Sequence, residues 1–217
     1  MWPDLVDDDR ILVVPVGSVE QHGPHLPLDT DTRIAVAVAR GLAAHRGGVV
    51  VGPAVPYTAS GEHQDFPGTL SVGHEALECY LLELARSAAR TYRRVLFVNG
   101  HGGNVPTLDR LAARLCDEWR DVLVWHAHVA GGDAHAGWVE TSLLLAIDPH
   151  VVRLDRIEPG TTTPLGELWP QLRDRGVRAV AANGVLGDPT GASAQDGRRL
   201  LTELVDDLAY AVDGWVR

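Results

Sequence analysis

Lysine is missing from this chain altogether: all 19 basic residues among its 217 are arginine. That excludes a Schiff base or a lysine-held pyridoxal phosphate, and also the phosphate-gripping lysine of a P-loop. Neither a G-x-S-x-G nucleophile elbow nor a G-x-G-x-x-G dinucleotide fingerprint occurs. Cysteine is almost as scarce. Cys79 and Cys116 are the only two and form no Cys-x-x-Cys pair, so a structural zinc site built on thiolates is excluded. Both fall in helical patterns and read as buried free thiols. No apolar run approaches the roughly 18 residues of a membrane span. Acidic residues outnumber basic ones by 29 to 19, for a net charge of −10. Neither a nucleic acid nor an anionic membrane surface is then the expected partner, since each needs a basic patch. The start, MWPDLVDDDR, has no basic n-region or apolar h-region of a signal peptide, and a cytoplasmic protein is expected.

What remains reads as one globular domain over residues 1–217. Short β-branched runs alternate with amphipathic stretches. ILVVPVG (Ile11 to Gly17), VVVGPAV (Val49 to Val55), RVLFVNG (Arg94 to Gly100) and DVLVWHAHVA (Asp121 to Ala130) read as strands. Helices are predicted after each, over DTRIAVAVARGLAAHRGG, HEALECYLLELARSAARTYR, NVPTLDRLAARLCDEWR and WVETSLLLAI, with QDGRRLLTELVDDLAYAVDGWV closing the chain. Asp31 or Thr30 would cap the first helix. Between Val151 and Pro189 the periodicity fades into Thr-, Pro- and Gly-rich loop. The alternation predicts an α/β fold with a mostly parallel sheet covered by helices on both faces.

In such folds ligands bind beyond the carboxyl ends of the strands, and the unusual polar residues sort to that edge. Glu20, His22, His25, Asp29 and Asp31 follow the first strand, in a loop stiffened by Pro24 and Pro27. Glu62, His63 and Asp65 follow the second, His101 the third, and Asp133, His135 and Glu140 the fourth. Any one of these is most simply a loop histidine or a helix cap; together they point to a metal. Mixed imidazole and carboxylate ligands suit Zn, Mn or Fe(II) better than Ca. Without thiolates, such a site is of the catalytic and partly open kind. His45, His74 and His150 read as structural, and His126 and His128 as packing or supporting groups.

Four blocks, GSVEQHGPHLPLDTD, EHQDFPGT, NGHGGN and HAGWVETS, resemble the creatininase family of metal-dependent amidohydrolases and follow its order. GDPTGASAQDG is similar to its closing motif. The resemblance implies an α/β sandwich around a central, mostly parallel sheet, two divalent metal ions sharing a bridging carboxylate, and a homo-oligomer, commonly a hexamer. Carried over by resemblance, Glu20 and His101 hold the first metal, His22 the second, and Asp31 bridges both. Creatininases proper place a glutamate two positions after the third-block histidine, where this chain has Gly103. Glu140 is the candidate replacement, as a ligand and catalytic group. His135 is the candidate general acid. Ser60, Glu62 and His63 would orient substrate, with backbone N–H groups of Gly100 and Gly102 facing the developing oxyanion. Within the family, the first two blocks look most like a peptidase branch. By resemblance it cleaves a modified precursor peptide near its C-terminus and releases a cyclised Val-Tyr-derived product. Creatinine hydrolysis, formamide deformylation and a non-catalytic, metal-stabilised module stay open as alternatives.

Overall fold

In the computed structural model, which describes residues 8–217, the strand and helix patterns become a four-stranded, wholly parallel sheet of order β2-β1-β3-β4. Residues 1–7, most of the acidic start read above, lie outside the described part. The strands are β1 (Asp8–Val16), β2 (Val49–Val51), β3 (Tyr92–Asn99) and β4 (Asp121–His126). The helices are α1 (Thr30–His45), α2 (His74–Ala88), α3 (Val105–Asp117), α4 (Trp138–Ile147), α5 (Leu165–Arg175) and α6 (Ala194–Trp215).

Successive strand residues face opposite sides of a sheet, and the two main cores sort by that parity. Ile11, Val13, Leu96, Val98 and Trp125 meet α1, α4 and α6 on one face. Val14, Val16, Val95 and Phe97 meet α2 and α3 on the other. Register then decides where the loops leave. Val16 pairs with Asn99, and Asn99 with His126. The carboxyl ends of β1, β3 and β4 are therefore level, and the loops after them open on one edge.

Several expectations shift. β2 ends at Val51: the Gly52 N–H still donates to the Val13 carbonyl at 2.8 Å, but Pro53 has no N–H to continue the ladder, and the chain rejoins β1 through a single bridge from Val16 to Val55. β4 stops at His126 rather than Ala130. The segment read as loop contains α5, despite Pro170 in its interior. Its pattern is weak because only Leu168 and Leu172 are buried, in a small satellite core with Val177, Ala181 and Leu186. Both thiols are exposed rather than buried. The inward positions of α2 and α3 are filled by leucines such as Leu77, Leu81, Leu108, Leu111 and Leu115, which leaves Cys79 and Cys116 on the outer faces.

The closing motif is structural. Ser193 Oγ accepts the Asp196 N–H at 3.1 Å and caps α6, and Gly197 lets α6 press on α4. A Cβ at Gly197 would fall 1.8 Å from the Ser142 carbonyl oxygen, whereas one at Gly214, in the same helix, meets nothing within 4 Å. Opposite outcomes follow for one substitution at two sites. Gly197→Ala should destabilise by about 1–3 kcal/mol through overpacking. Gly214→Ala should stabilise by about 0.4–1 kcal/mol. Urea denaturation of both variants checks this, and a stable Gly197→Ala protein would contradict the packing.

Candidate metal centre

The loop after β1 is closed on itself by the Glu20 N–H donating to the Leu28 carbonyl at 3.0 Å. Glu20 and His22, two apart, turn the same way into the protein, and both are fully buried. Asp31 arrives from the first turn of α1. It caps nothing: Asp29 is the N-cap residue and also makes no side-chain cap. The Asp31 carboxylate instead turns inward. Its Oδ2 accepts from Ser18 Oγ at 2.7 Å and lies 3.1 Å from His101 Nδ1, while its Oδ1 lies 3.0 Å from His22 Nε2. One carboxylate thus touches an imidazole with each oxygen.

Tautomers follow from the carbonyls nearby, since a carbonyl only accepts. His22 Nδ1–H donates to the Glu20 carbonyl at 3.1 Å, so that Nε2 faces Asp31 and, at 3.8 Å, Glu140. His101 Nε2–H donates to the Ala59 carbonyl at 3.0 Å, so that Nδ1 faces Asp31; against burial, the carboxylates around it drive this imidazole up to about 10 as well. His135 Nε2–H donates to the Gln21 carbonyl at 2.8 Å, leaving Nδ1 bare, 3.8 Å from Glu20 Oε1. His63 reaches Glu20 Oε1 at 3.3 Å through Nε2, and its Nδ1 meets the Gln21 side-chain amide at 2.9 Å.

Three triads result, each able to bring one ligand atom per residue onto a single ion: Glu20 with Asp31 and His101, His22 with His135 and Glu140, and Glu20 with His63 and His135. Among the described residues, the ion-pair partners of Glu20, Asp31, Glu62 and Glu140 are all histidines, with no arginine. Glu20 is the sharpest case. Its carboxylate is fully buried and neither oxygen accepts a hydrogen bond. A buried carboxylate left this way is costly unless a cation meets it, so the residues fit a divalent metal.

The electrostatics agree. Burial pushes the Glu20 carboxyl up to about 8 against the pull of His101, and burial lifts Glu140 to about 7. On His22 burial disfavours charge, yet Asp31 beside it wins and drives the imidazole up to about 10. Without a cation, the carboxyl groups hold protons that ligation would displace.

Of the five titratable residues in the first loop, three converge. His25 does not: its Nε2 pairs with Thr141 Oγ1 at 2.8 Å and ties the loop to α4. Asp29 binds Arg33 at 2.8 Å on the outside. Asp133 accepts the Trp138 and Val139 N–H groups and caps α4. Glu140 Oε2 accepts the Ala136 N–H at 2.6 Å while lying in the His22 triad. Ala136 has a left-handed φ of 51°, a strained state for alanine that the Glu140 contact helps to hold. Ser60 is buried with an unpartnered hydroxyl. Gly100 is a correction: its N–H already donates to the Val16 carbonyl at 2.9 Å, so it is no oxyanion donor. The glycine is needed for packing, as a Cβ would lie 2.4 Å from the Asp31 carbonyl oxygen. Gly102 faces open space.

Sequence reading missed Gln21. Its side-chain amide lies within 3.1 Å of His63 Nδ1, His135 Nε2 and the Gly184 carbonyl oxygen. Being uncharged, it carried no flag beyond its place between Glu20 and His22.

Residues 1–212 match the family described as Creatininase: Creatinine amidohydrolase. The chain belongs to the creatininase family. A mycofactocin precursor peptide peptidase from Mycobacterium ulcerans is 50% identical over 99% of this chain and 86% of its own. Creatinine amidohydrolase from Pseudomonas putida is 29% identical over 94% of this chain and 89% of its own. A solved Mn form of creatininase superposes with a TM-score of 0.79 at 27% identity, covering 98% of this chain and 95% of that one. The creatininase fold expected from the four sequence blocks is therefore the fold observed.

Because ligation must displace protons, metal affinity in this creatininase-family chain should depend on pH. In the metal-free fold Glu140 holds its proton below about 7, Glu20 below about 8, and the His22 and His101 imidazoles below about 10. Affinity should therefore rise as pH climbs through that window and fall as pH drops through it. Chelator-competition titrations between about pH 6 and about pH 9 test this; a flat affinity would place the binding residues elsewhere.

Proposed function

We propose that this chain is a metal-dependent peptidase that cleaves the modified mycofactocin precursor peptide near its C-terminus, releasing the cyclised Val-Tyr-derived product. The fully buried Glu20 carboxylate, unpartnered and ringed by His63, His101 and His135, carries the hydrolase part of the reading. The substrate rests on the peptidase relative, 50% identical, against 29% for the creatinine amidohydrolase.

In this reading Glu20, Asp31 and His101 hold one cation, and His22 with Glu140 holds the other. Asp31, touching both sides, is the shared ligand. The ions are Zn, Mn or Fe(II), by the preference of mixed imidazole and carboxylate donors. Bound there, divalent cations supply a water nucleophile at neutral pH and polarise the scissile carbonyl. The chain's own residues move the protons. His135 keeps Nε2–H on the Gln21 carbonyl, and burial lowers its pKa to about 3. The imidazole thus starts neutral and stores no proton of its own; in this reading the proton lost by the attacking water passes over the bare Nδ1 to the leaving nitrogen. His63 and Ser60 line the approach and orient substrate, with the Gly102 N–H toward the oxyanion. A cytoplasmic homo-oligomer, hexameric as the resemblance implies, completes the reading.

Mass spectrometry decides the substrate. Purified protein with Fe(II), Zn or Mn should cleave modified precursor peptide and leave creatinine and a formamide intact. Turnover of creatinine without peptide cleavage would overturn the assignment. Asp31→Ala should lose both ions and Glu140→Ala one, by elemental analysis; Asp31→Ala retaining two would remove the shared ligand. His135→Ala should lower kcat by about 10²–10⁴ with metal content intact. Activated amides or esters should lose less, because their leaving groups need little proton donation. Loss of metal from His135→Ala would make it a ligand instead.

A further inference from the structure

The buried Gln21 side chain meets two backbone groups that can each play one part only. Its Oε1 accepts the Gly23 N–H at 2.9 Å, and its Nε2 donates to the Gly184 carbonyl at 3.0 Å. Turning the amide over would set N–H against N–H and oxygen against oxygen, so its orientation is settled without reference to any histidine. One Nε2 hydrogen goes to Gly184. The other is left for His63 Nδ1, 2.9 Å away. His135 Nε2 also lies 3.1 Å from this amide nitrogen, but its own N–H goes to the Gln21 carbonyl at 2.8 Å, so it accepts nothing. His63 Nδ1 is therefore an acceptor and holds no hydrogen. The ring hydrogen is on Nε2, which faces Glu20 Oε1 at 3.3 Å.

We infer that Gln21 is a positioning residue that holds the His63 hydrogen on Nε2, so that His63 turns an N–H toward Glu20 and is no metal ligand. A ligating nitrogen needs a lone pair. For Nε2 to supply one, the ring hydrogen would have to move to Nδ1, where the Gln21 N–H already stands. The triad of Glu20, His63 and His135 is thereby set aside, which leaves the two triads on which the dimetal reading draws. The inference rests on that reading and gives His63 a duty toward Glu20 in place of one toward substrate. An N–H beside a ligand carboxylate favours its charged form and fixes its direction. Gly184, from the segment after α5, thus reaches the centre through one amide.

The test needs no turnover. Nitrogen–proton NMR of the histidine rings reads the tautomer directly in the full chain, metal-free and saturated with Zn, with His63→Phe assigning the signals. His63 should carry hydrogen on Nε2 and none on Nδ1 in both states. Hydrogen on Nδ1, or a His63 Nε2 resonance displaced as a ligand on adding Zn, would overturn the proposal. Gln21→Met keeps the bulk and removes the amide. The His63 Nδ1 resonance should then move as its hydrogen bond is lost, while His135, held by the main-chain carbonyl of residue 21, keeps its tautomer. Unchanged His63 resonances would take Gln21 out of the role; the wild-type spectra decide the tautomer whatever the stability of the variants. His63→Phe should weaken Zn by about 10–100-fold at one of two sites and still bind two ions at saturation; outright loss of one ion would make His63 a ligand. If the wild-type chain takes up no Zn, the dimetal reading fails while the metal-free spectrum still decides His63. Two bound ions with His63 among their ligands would sink this proposal alone.

Discussion

Asp31 holds the centre together. Its two oxygens reach Ser18 and His22 from the loop after β1 and His101 from the loop after β3. It can do so because α1 begins at Thr30, which places residue 31 in the first turn of a helix packed on the sheet. Moving that helix start by one residue would rotate the carboxylate by roughly 100° about the axis and aim it away from both imidazoles. The level ends of β1 and β3 matter for the same reason. With Val16 opposite Asn99, the loops that carry Glu20 and His101 set out from neighbouring points.

Around that point, each imidazole is gripped by one nitrogen and offers the other. His22, His101 and His135 each give an N–H to a backbone carbonyl, of Glu20, Ala59 and Gln21 respectively. His63 leans on the Gln21 amide instead. The grip fixes ring orientation before any ion arrives, which lowers the reorganisation needed on binding. Gln21 is central to this, because its backbone holds His135 while its side chain reaches His63 and the Gly184 carbonyl. A Cβ at Gly184 would fall 1.8 Å from Gln21 Oε1, so the late segment is shaped around that side chain.

Much of this was legible in the sequence, and the rest was hidden for physical reasons. Strand and helix alternation placed every cluster at one sheet edge, because a parallel sheet leaves no other edge for its loops after the strands. Glu20, His22, Asp31 and His101 stood out by residue type, and they do converge. What type could not show is direction. His25 sits in the same loop as His22 yet turns to Thr141. Asp133 lies two residues before His135 and spends both oxygens on the N-terminus of α4. Gly100 looked like a donor for an oxyanion, but sheet pairing had already claimed its N–H. α5 escaped because a helix that buries only two leucines has almost no amphipathic signal.

Concentrating this much charge in the interior works against the metal-free fold. Carboxyl groups lifted by burial, a His135 imidazole whose charged form burial disfavours, and an alanine at left-handed φ all sit beyond the carboxyl ends of the strands. Two apolar cores, one on each face of the sheet, supply the stability that offsets them. The division of labour lets the loops be optimised for an ion rather than for the empty protein.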